Sequence, residues 1–159
     1  MYQPFTPADL PPPTHSPVDM GNLFGLCREI MTQAQGQEVE PWLLERIADD
    51  HDLPRAYAYA ALQFNPMLRL KRTHEVALGI CTGRCQLWGG FDLLERALAL
   101  RDARAAEGKP GFDVVPQGCL NLCEKPPMVV TASPDGVAAV PSATSGGIAA
   151  AVQMLFGEG

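Results

Sequence analysis

Residues 74–123 decide the fold, and they read HEVALGICTGRCQLWGGFDLLERALALRDARAAEGKPGFDVVPQGCLNLC. Residues 74–80 form a short apolar run that ends at a cysteine, which is typical of a buried strand. Residues 91–107 are rich in strong helix formers and stop at Gly108, so they predict a helix. Residues 112–115 predict a second strand. A strand, a helix and a strand in this order form a crossover that returns the chain beside its starting strand.

Two cysteine pairs follow the two predicted strands directly. They are Cys81 with Cys85 and Cys119 with Cys123, and residues 86–118 between them number 33. Because such crossovers are right-handed, both cysteine loops are expected at the same end of the sheet. Four thiolates that converge there form an all-cysteine site, which both a 2Fe-2S cluster and a structural zinc ion accept.

The spacing of the cysteines leaves iron-sulfur and zinc both open. Zinc sites favour two-residue spacers and small folds without a sheet of their own, whereas both spacers here contain three residues. A cluster with two irons is wider than one ion, so longer loops that contain glycine suit it, and their backbone amides can donate to the sulfurs. Cys27 stands alone in a stretch with helical spacing and is expected to be a packing residue, not a ligand.

The rest of the chain supplies helices before this stretch and a hairpin and helix after it. Residues 1–17 carry six prolines and predict a flexible or extended arm. Helical patterns then cover residues 18–35, 40–50 and 54–64, strands are expected at 128–131 and 136–140 around a Ser-Pro-Asp-Gly turn, and a helix at 145–156. We therefore predict an α/β fold: the arm, a helical N-terminal subdomain at 18–72, and a mixed sheet with flanking helices at 73–159.

Composition excludes several classes of function. The net charge is -6 and the sequence pI is about 4.9, so the chain lacks the basic surface that nucleic acids require. No apolar run of about 18 residues and no secretory signal occur, which predicts a soluble, cytoplasmic protein without direct membrane insertion. Gly89 and Gly90 lack the pattern of a dinucleotide loop, and His15, His51 and His74 have no ligand spacing. NAD and flavin, if involved, should be bound by a partner chain.

Three segments resemble a known family. They are GICTGRCQLWGGFDLLERAL at 79–98, CLNLCEKPPMVV at 119–130 with PDGV at 134–137, and EVEPWLLERIADDHDLPRAYAYAALQF at 38–64. The first two are similar to the ligand loops of thioredoxin-like 2Fe-2S ferredoxins. The nearest resemblance is to the small 2Fe-2S subunit of NADH:quinone oxidoreductase and to the equivalent subunits of NAD-reducing hydrogenases and formate dehydrogenases, which carry a helical segment like the third stretch.

The resemblance implies a fold, a cofactor and partners. It implies a thioredoxin-like ferredoxin domain at 73–159 and one 2Fe-2S cluster on Cys81, Cys85, Cys119 and Cys123. It also implies a non-catalytic electron-transfer subunit of an NAD(P)H-linked oxidoreductase, which meets a flavin- and NAD-binding subunit or forms a homo-oligomer. The chain departs from the pattern in its first loop, because those subunits typically place four residues between the first two cysteines and this chain has three.

Two alternatives remain open. One is a cluster-free or zinc-bearing structural subunit of such a complex. The other is a thiol-disulfide oxidoreductase, although the two-residue spacer expected between redox cysteines is absent. Within the first loop, Arg84 could offset cluster charge or be a solvated arginine, and Trp88 could shield the cluster or pack the start of the next helix.

Overall fold

A computed structural model describes residues 12–118, 125–141 and 143–158. Its N-terminal part is mainly helical, and its C-terminal part is a sheet with helices packed against it. The elements of the N-terminal part are α1 (Met20–Gln33), β1 (Glu38–Val39), α2 (Pro41–Asp50), α3 (Arg55–Leu62) and β2 (Arg69–Leu70). The elements of the C-terminal part are β3 (Ala77–Cys81), a 3-10 helix (Arg84–Trp88), α4 (Gly90–Ala106), β4 (Asp113–Gln117), β5 (Val129–Ser133), β6 (Gly136–Val140) and α5 (Ser145–Leu155).

The sheet has four strands in the order β4-β3-β5-β6. The central strand β3 runs parallel to β4 and antiparallel to β5, and β5 and β6 form an antiparallel hairpin. The crossover helix α4 makes the parallel pair possible, and a tight turn at Pro134 and Asp135 closes the hairpin. The predicted α/β class with a mixed four-stranded sheet is confirmed, and the arrangement is that of a thioredoxin-like fold.

The helical part follows from its capping residues and apolar stripes. Asp19 caps α1 by accepting a hydrogen bond from the backbone N–H of Gly21 at 2.7 Å, and the helix buries Leu23, Leu26 and Ile30. Pro41 occupies the first turn of α2, where its missing N–H costs nothing. The parallel pair of β1 and β2 was not predicted, because two-residue strands carry no readable period.

Polar contacts join the helical part to α4. Asp102 accepts from Arg55 at 2.7 Å, and Glu95 accepts from the backbone N–H of Ala56 at 2.6 Å. Arg101 donates to the hydroxyl of the fully buried Tyr59 at 3.0 Å. One hydrophobic cluster of buried side chains also runs through both parts. The helical part is therefore packed onto the sheet part, although the predicted boundary at residue 72 stays a prediction.

Three strands have other bounds than the sequence predicts, and one of them, predicted at 128–131, is observed at Val129–Ser133. The strand predicted at 74–80 is observed at Ala77–Cys81, and that predicted at 112–115 at Asp113–Gln117. The residues before β3 cannot join the ladder because they wrap around the Asp113 carboxylate, which accepts hydrogen bonds from the backbone N–H groups of Thr73 and His74. The predicted helices agree within two residues at each end. In the described ranges no helix combines the length and apolar character that crossing a bilayer requires.

Candidate metal centre

Cys81 and Cys85 lie together at the carboxyl end of the central strand. Cys81 is the last residue of β3, and Cys85 lies in the 3-10 helix that follows. The two residues are 3% and 2% exposed and form a buried group with Met128, separate from the main hydrophobic core. Two thiol-bearing side chains are thus held side by side in an apolar pocket at one end of the sheet.

Cys119 and Cys123 lie outside the described residues. The chain on each side of them is described, and both sides contact the first cysteine loop. The backbone N–H of Thr82 donates to the carbonyl of Gln117 at 2.8 Å, and that of Cys81 donates to the carbonyl of Met128 at 3.2 Å. The two strands that flank β3 therefore lead into and out of residues 119–124 beside Cys81.

Two glycines let α4 begin directly against this loop. Gly89 has φ of +92°, a left-handed conformation that other residues rarely adopt, and it ends the 3-10 helix and begins α4. A Cβ on Gly90 would lie 2.6 Å from the Cys81 carbonyl oxygen and 3.1 Å from that of Cys85. The Gly-Gly pair after the loop is the sequence signal of this close approach, although the pair lacks the flanking pattern of a dinucleotide loop.

The described end of the N-terminal arm is hydrogen-bonded to the same loop. The backbone N–H groups of Thr14 and His15 both donate to the Leu87 carbonyl, at 2.9 and 3.0 Å. His15 Nε2 also lies 2.9 Å from a carboxylate oxygen of Asp92 in the first turn of α4. His15 thus acts as a packing residue of the 3-10 helix and the start of α4.

The other residues singled out in the sequence lie elsewhere or at the rim. Cys27 is buried in the core of the helical part, where burial raises the pKa of its thiol. His74 pairs with Asp113 at 2.9 Å, at the opposite end of β3. Arg84 is exposed and Trp88 is half-buried.

One residue of the helical part was missed by the sequence analysis. Gln63, which caps the end of α3, lies against Gly118, since a Cβ on Gly118 would be 2.8 Å from the Gln63 Oε1. The Nε2 atom of Gln63 is buried and has no hydrogen-bond partner among the described residues. The periodicity of the sequence carries no signal of this contact, because Gln63 and Gly118 are far apart in the sequence and meet only in the folded chain.

The described donors at the end of β3 are two buried thiols, which either an iron-sulfur group or a zinc ion accepts. Buried thiols are the ligands that both 2Fe-2S clusters and zinc prefer. Within residues 12–118, 125–141 and 143–158, we find no group of three or more histidine, cysteine, aspartate or glutamate side chains that could hold a metal ion. These ranges contain only two of the four expected ligands, Cys81 and Cys85. Cys81, Cys85 and the unpartnered amide of Gln63 are the described groups that bear on a bound cluster.

Comparisons with known proteins leave the site to be interpreted from its own residues. The resemblance to 2Fe-2S ferredoxins stays a prediction. No protein-family model matches the chain, and no curated protein sequence matches it.

Proposed function

We propose that the chain carries single electrons through one 2Fe-2S cluster held by Cys81, Cys85, Cys119 and Cys123. The observation that carries the proposal is the contact of both flanks of the second cysteine loop with the first, through Gln117 and Met128. Residues 118–127 connect these two contacts along the chain, which supports the proposal that the second pair of cysteines shares one cluster with the first.

The residues of the chain hold the site dry and offset its charge. When bound, the cluster supplies a one-electron redox couple, and the four thiolates hold its irons. Met128 packs against Cys81 and Cys85 and keeps water from them. The start of α4 lies against the backbone of both cysteines, where the partial positive charge of a helix N-terminus stabilises thiolates.

The proposed partner is a flavin- and NAD-binding subunit of a cytoplasmic NAD(P)H-linked oxidoreductase. The sequence offers no nucleotide loop of its own, so hydride chemistry belongs to another chain. The helical part also exposes apolar side chains: Phe24, 57% exposed, lies 5.3 Å from the ring of Phe64, which is 42% exposed. Exposed apolar groups of this kind mark protein interaction surfaces. Phe64 follows Gln63, so this surface adjoins the candidate cluster.

Metal analysis of the anaerobically reconstituted chain tests the cluster. We expect about two irons and two sulfides per chain with a brown visible spectrum, and loss of most of this iron when any one of the four cysteines becomes serine, because oxygen is a harder ligand than sulfur. The matched control is Cys27→Ser, which should retain the iron. A colourless chain that binds one zinc after the same treatment would contradict the cluster and favour the zinc-bearing structural subunit.

The shortened first loop is tested by comparing two of these variants. If Cys85 is a ligand, Cys85→Ser and Cys119→Ser lose iron to the same extent. Iron retained in Cys85→Ser beside iron lost in Cys119→Ser would show that the ligand had been assigned to the wrong residue.

Enzyme assays test the partner. The isolated chain should oxidise no NADH, and it should be reduced by NADH only when a flavin-bearing subunit is present. Micromolar binding of NADH to the isolated chain would contradict this assignment.

A further inference from the structure

The side-chain amide of Gln63 is an unusual feature of the helical part. Gln63 ends α3, where its backbone N–H donates to the carbonyl of Ala60 at 3.2 Å. Its Nε2 is removed from solvent and has no acceptor among the residues that the structure describes. Buried amide groups are nearly always hydrogen-bonded, because an unpaired donor keeps the full cost of losing water. An acceptor for this amide is therefore expected close by.

The position of Gln63 indicates where that acceptor lies. Its Oε1 would be 2.8 Å from a Cβ placed on Gly118. Gly118 follows Gln117, which pairs with Cys81 across the parallel ladder and accepts from the N–H of Thr82 at 2.8 Å. The amide of Gln63 thus reaches from the helical part to the strand end that carries the cysteines.

We propose that Gln63 donates a hydrogen bond to a sulfur atom of the cluster and thereby raises its reduction potential. This inference rests on the proposed function, because it needs the cluster as the acceptor. A cluster gains negative charge when it takes up an electron, so a donor to its sulfur stabilises the reduced form more than the oxidised form. Gln63 is thus the residue through which the helical part tunes the redox centre.

Gln63→Leu and Gln63→Glu test the inference. Both variants should keep the iron content of the unmodified chain, because neither replaces a ligand. Both should shift the midpoint potential downward, so that the ratio of reduced to oxidised cluster at a fixed ambient potential falls roughly three- to tenfold in Gln63→Leu. The fall should be larger in Gln63→Glu, whose carboxylate repels the added electron. Gln153→Leu, at an exposed position of α5, is the matched control and should leave the potential unchanged.

A measurement without metal separates this role from a structural one. In the iron-free chain the amide has no cluster to donate to, so Gln63→Leu should leave the urea midpoint of unfolding unchanged or raise it. A lowered urea midpoint together with an unchanged potential would mean that a protein carbonyl holds the amide, which overturns the inference. Unchanged potentials in a normally loaded Gln63→Leu overturn this inference alone, whereas an unmodified chain that binds no iron overturns the proposed function with it.

Discussion

The two ends of the central strand β3 are built in opposite ways. At its amino end the carboxylate of Asp113, 5% exposed, receives hydrogen bonds from the side chain of Arg72 and from both the backbone and the side chains of Thr73 and His74, all within 3.0 Å. At its carboxyl end Cys81 and Cys85 are buried with Met128, and the neighbouring amide of Gln63 has no acceptor among the described residues.

This difference separates a structural end from a candidate functional one. A buried carboxylate is tolerated when its oxygens accept hydrogen bonds from enough donors, as those of Asp113 do. No bound ligand is therefore needed to explain the buried charge at the amino end. The carboxyl end combines ionisable thiols, a glycine close approach and a buried donor. We propose that a bound, sulfur-ligated metal group accounts for this set of groups.

The largest expected effect follows from filling the close approach at the carboxyl end. In Gly90→Ala the new Cβ would meet backbone carbonyl oxygens of the cysteine loop, the nearer at 2.6 Å, so α4 must move away. We expect the free energy of unfolding to fall by about 3 kcal/mol and the cluster content to drop severalfold. Urea unfolding and iron analysis measure the two effects.

A second glycine provides the control for that variant. Gly25 lies on an exposed face of α1 with nothing within 4 Å of its Cβ position, so Gly25→Ala should stabilise the chain by about 0.5–1 kcal/mol. Equal effects of the two variants would mean that the close approach at Gly90 does not constrain the loop.

The sequence predicted the elements of this fold better than the contacts of its site. Residues 91–107 are rich in strong helix formers and stop at Gly108, and residues 136–140 follow a Ser-Pro-Asp-Gly turn, so their type and bounds follow directly. The 3-10 helix after Cys81 is too short to have a period, and the contact of Gln63 with Gly118 depends on how the helical part docks. An aspartate at the start of an apolar strand carries no local signal of its partners, so the sequence does not predict the hydrogen bonds around Asp113.

A smaller effect is expected from removing the charge at the amino end. Asp113→Asn loses an acceptor for several donors, and we expect the free energy of unfolding at neutral pH to fall by about 2 kcal/mol. The cluster content should not change, because the substitution lies at the other end of β3. Loss of iron in this variant would show that the two ends are not independent.

The pH dependence of stability follows from the same carboxylate. Burial raises the pKa of Asp113, but hydrogen bonds from His74, Arg72 and Thr73 outweigh it and lower the pKa to about 2. Since the folded-state pKa lies below the unfolded value of about 4, the stabilisation is complete above pH 4 and is lost as the pH falls from about 4 to about 2. Asp113→Asn should make the free energy of unfolding depend less steeply on pH in this range. Asp135→Asn, in the exposed hairpin turn, should leave that slope unchanged. An unchanged slope in Asp113→Asn would contradict the assignment.

The smallest effect concerns the arm that braces the carboxyl end. In the described part of the arm, Thr14 and His15 donate backbone hydrogen bonds to Leu87, and the side chains of His15 and Asp92, which pair with each other, are 41% and 78% exposed. His15→Ala should therefore cost about 0.5 kcal/mol or less and leave the cluster content unchanged. A loss of cluster in His15→Ala, with iron retained in the control Ser16→Ala at an exposed neighbouring position, would give the imidazole a direct role at the site.

Electron paramagnetic resonance of the reconstituted chain during an anaerobic reductive titration tests the central claim most directly. We expect no signal from the oxidised chain, because two ferric irons in one cluster couple to a state without net spin. Uptake of about one electron per chain should then produce about one unpaired spin per chain. Cys81→Ser and Cys85→Ser should each remove that signal. A chain that takes up no electron and develops no signal, although it is folded and was loaded with iron and sulfide, would contradict an electron-carrying cluster at the carboxyl end of β3.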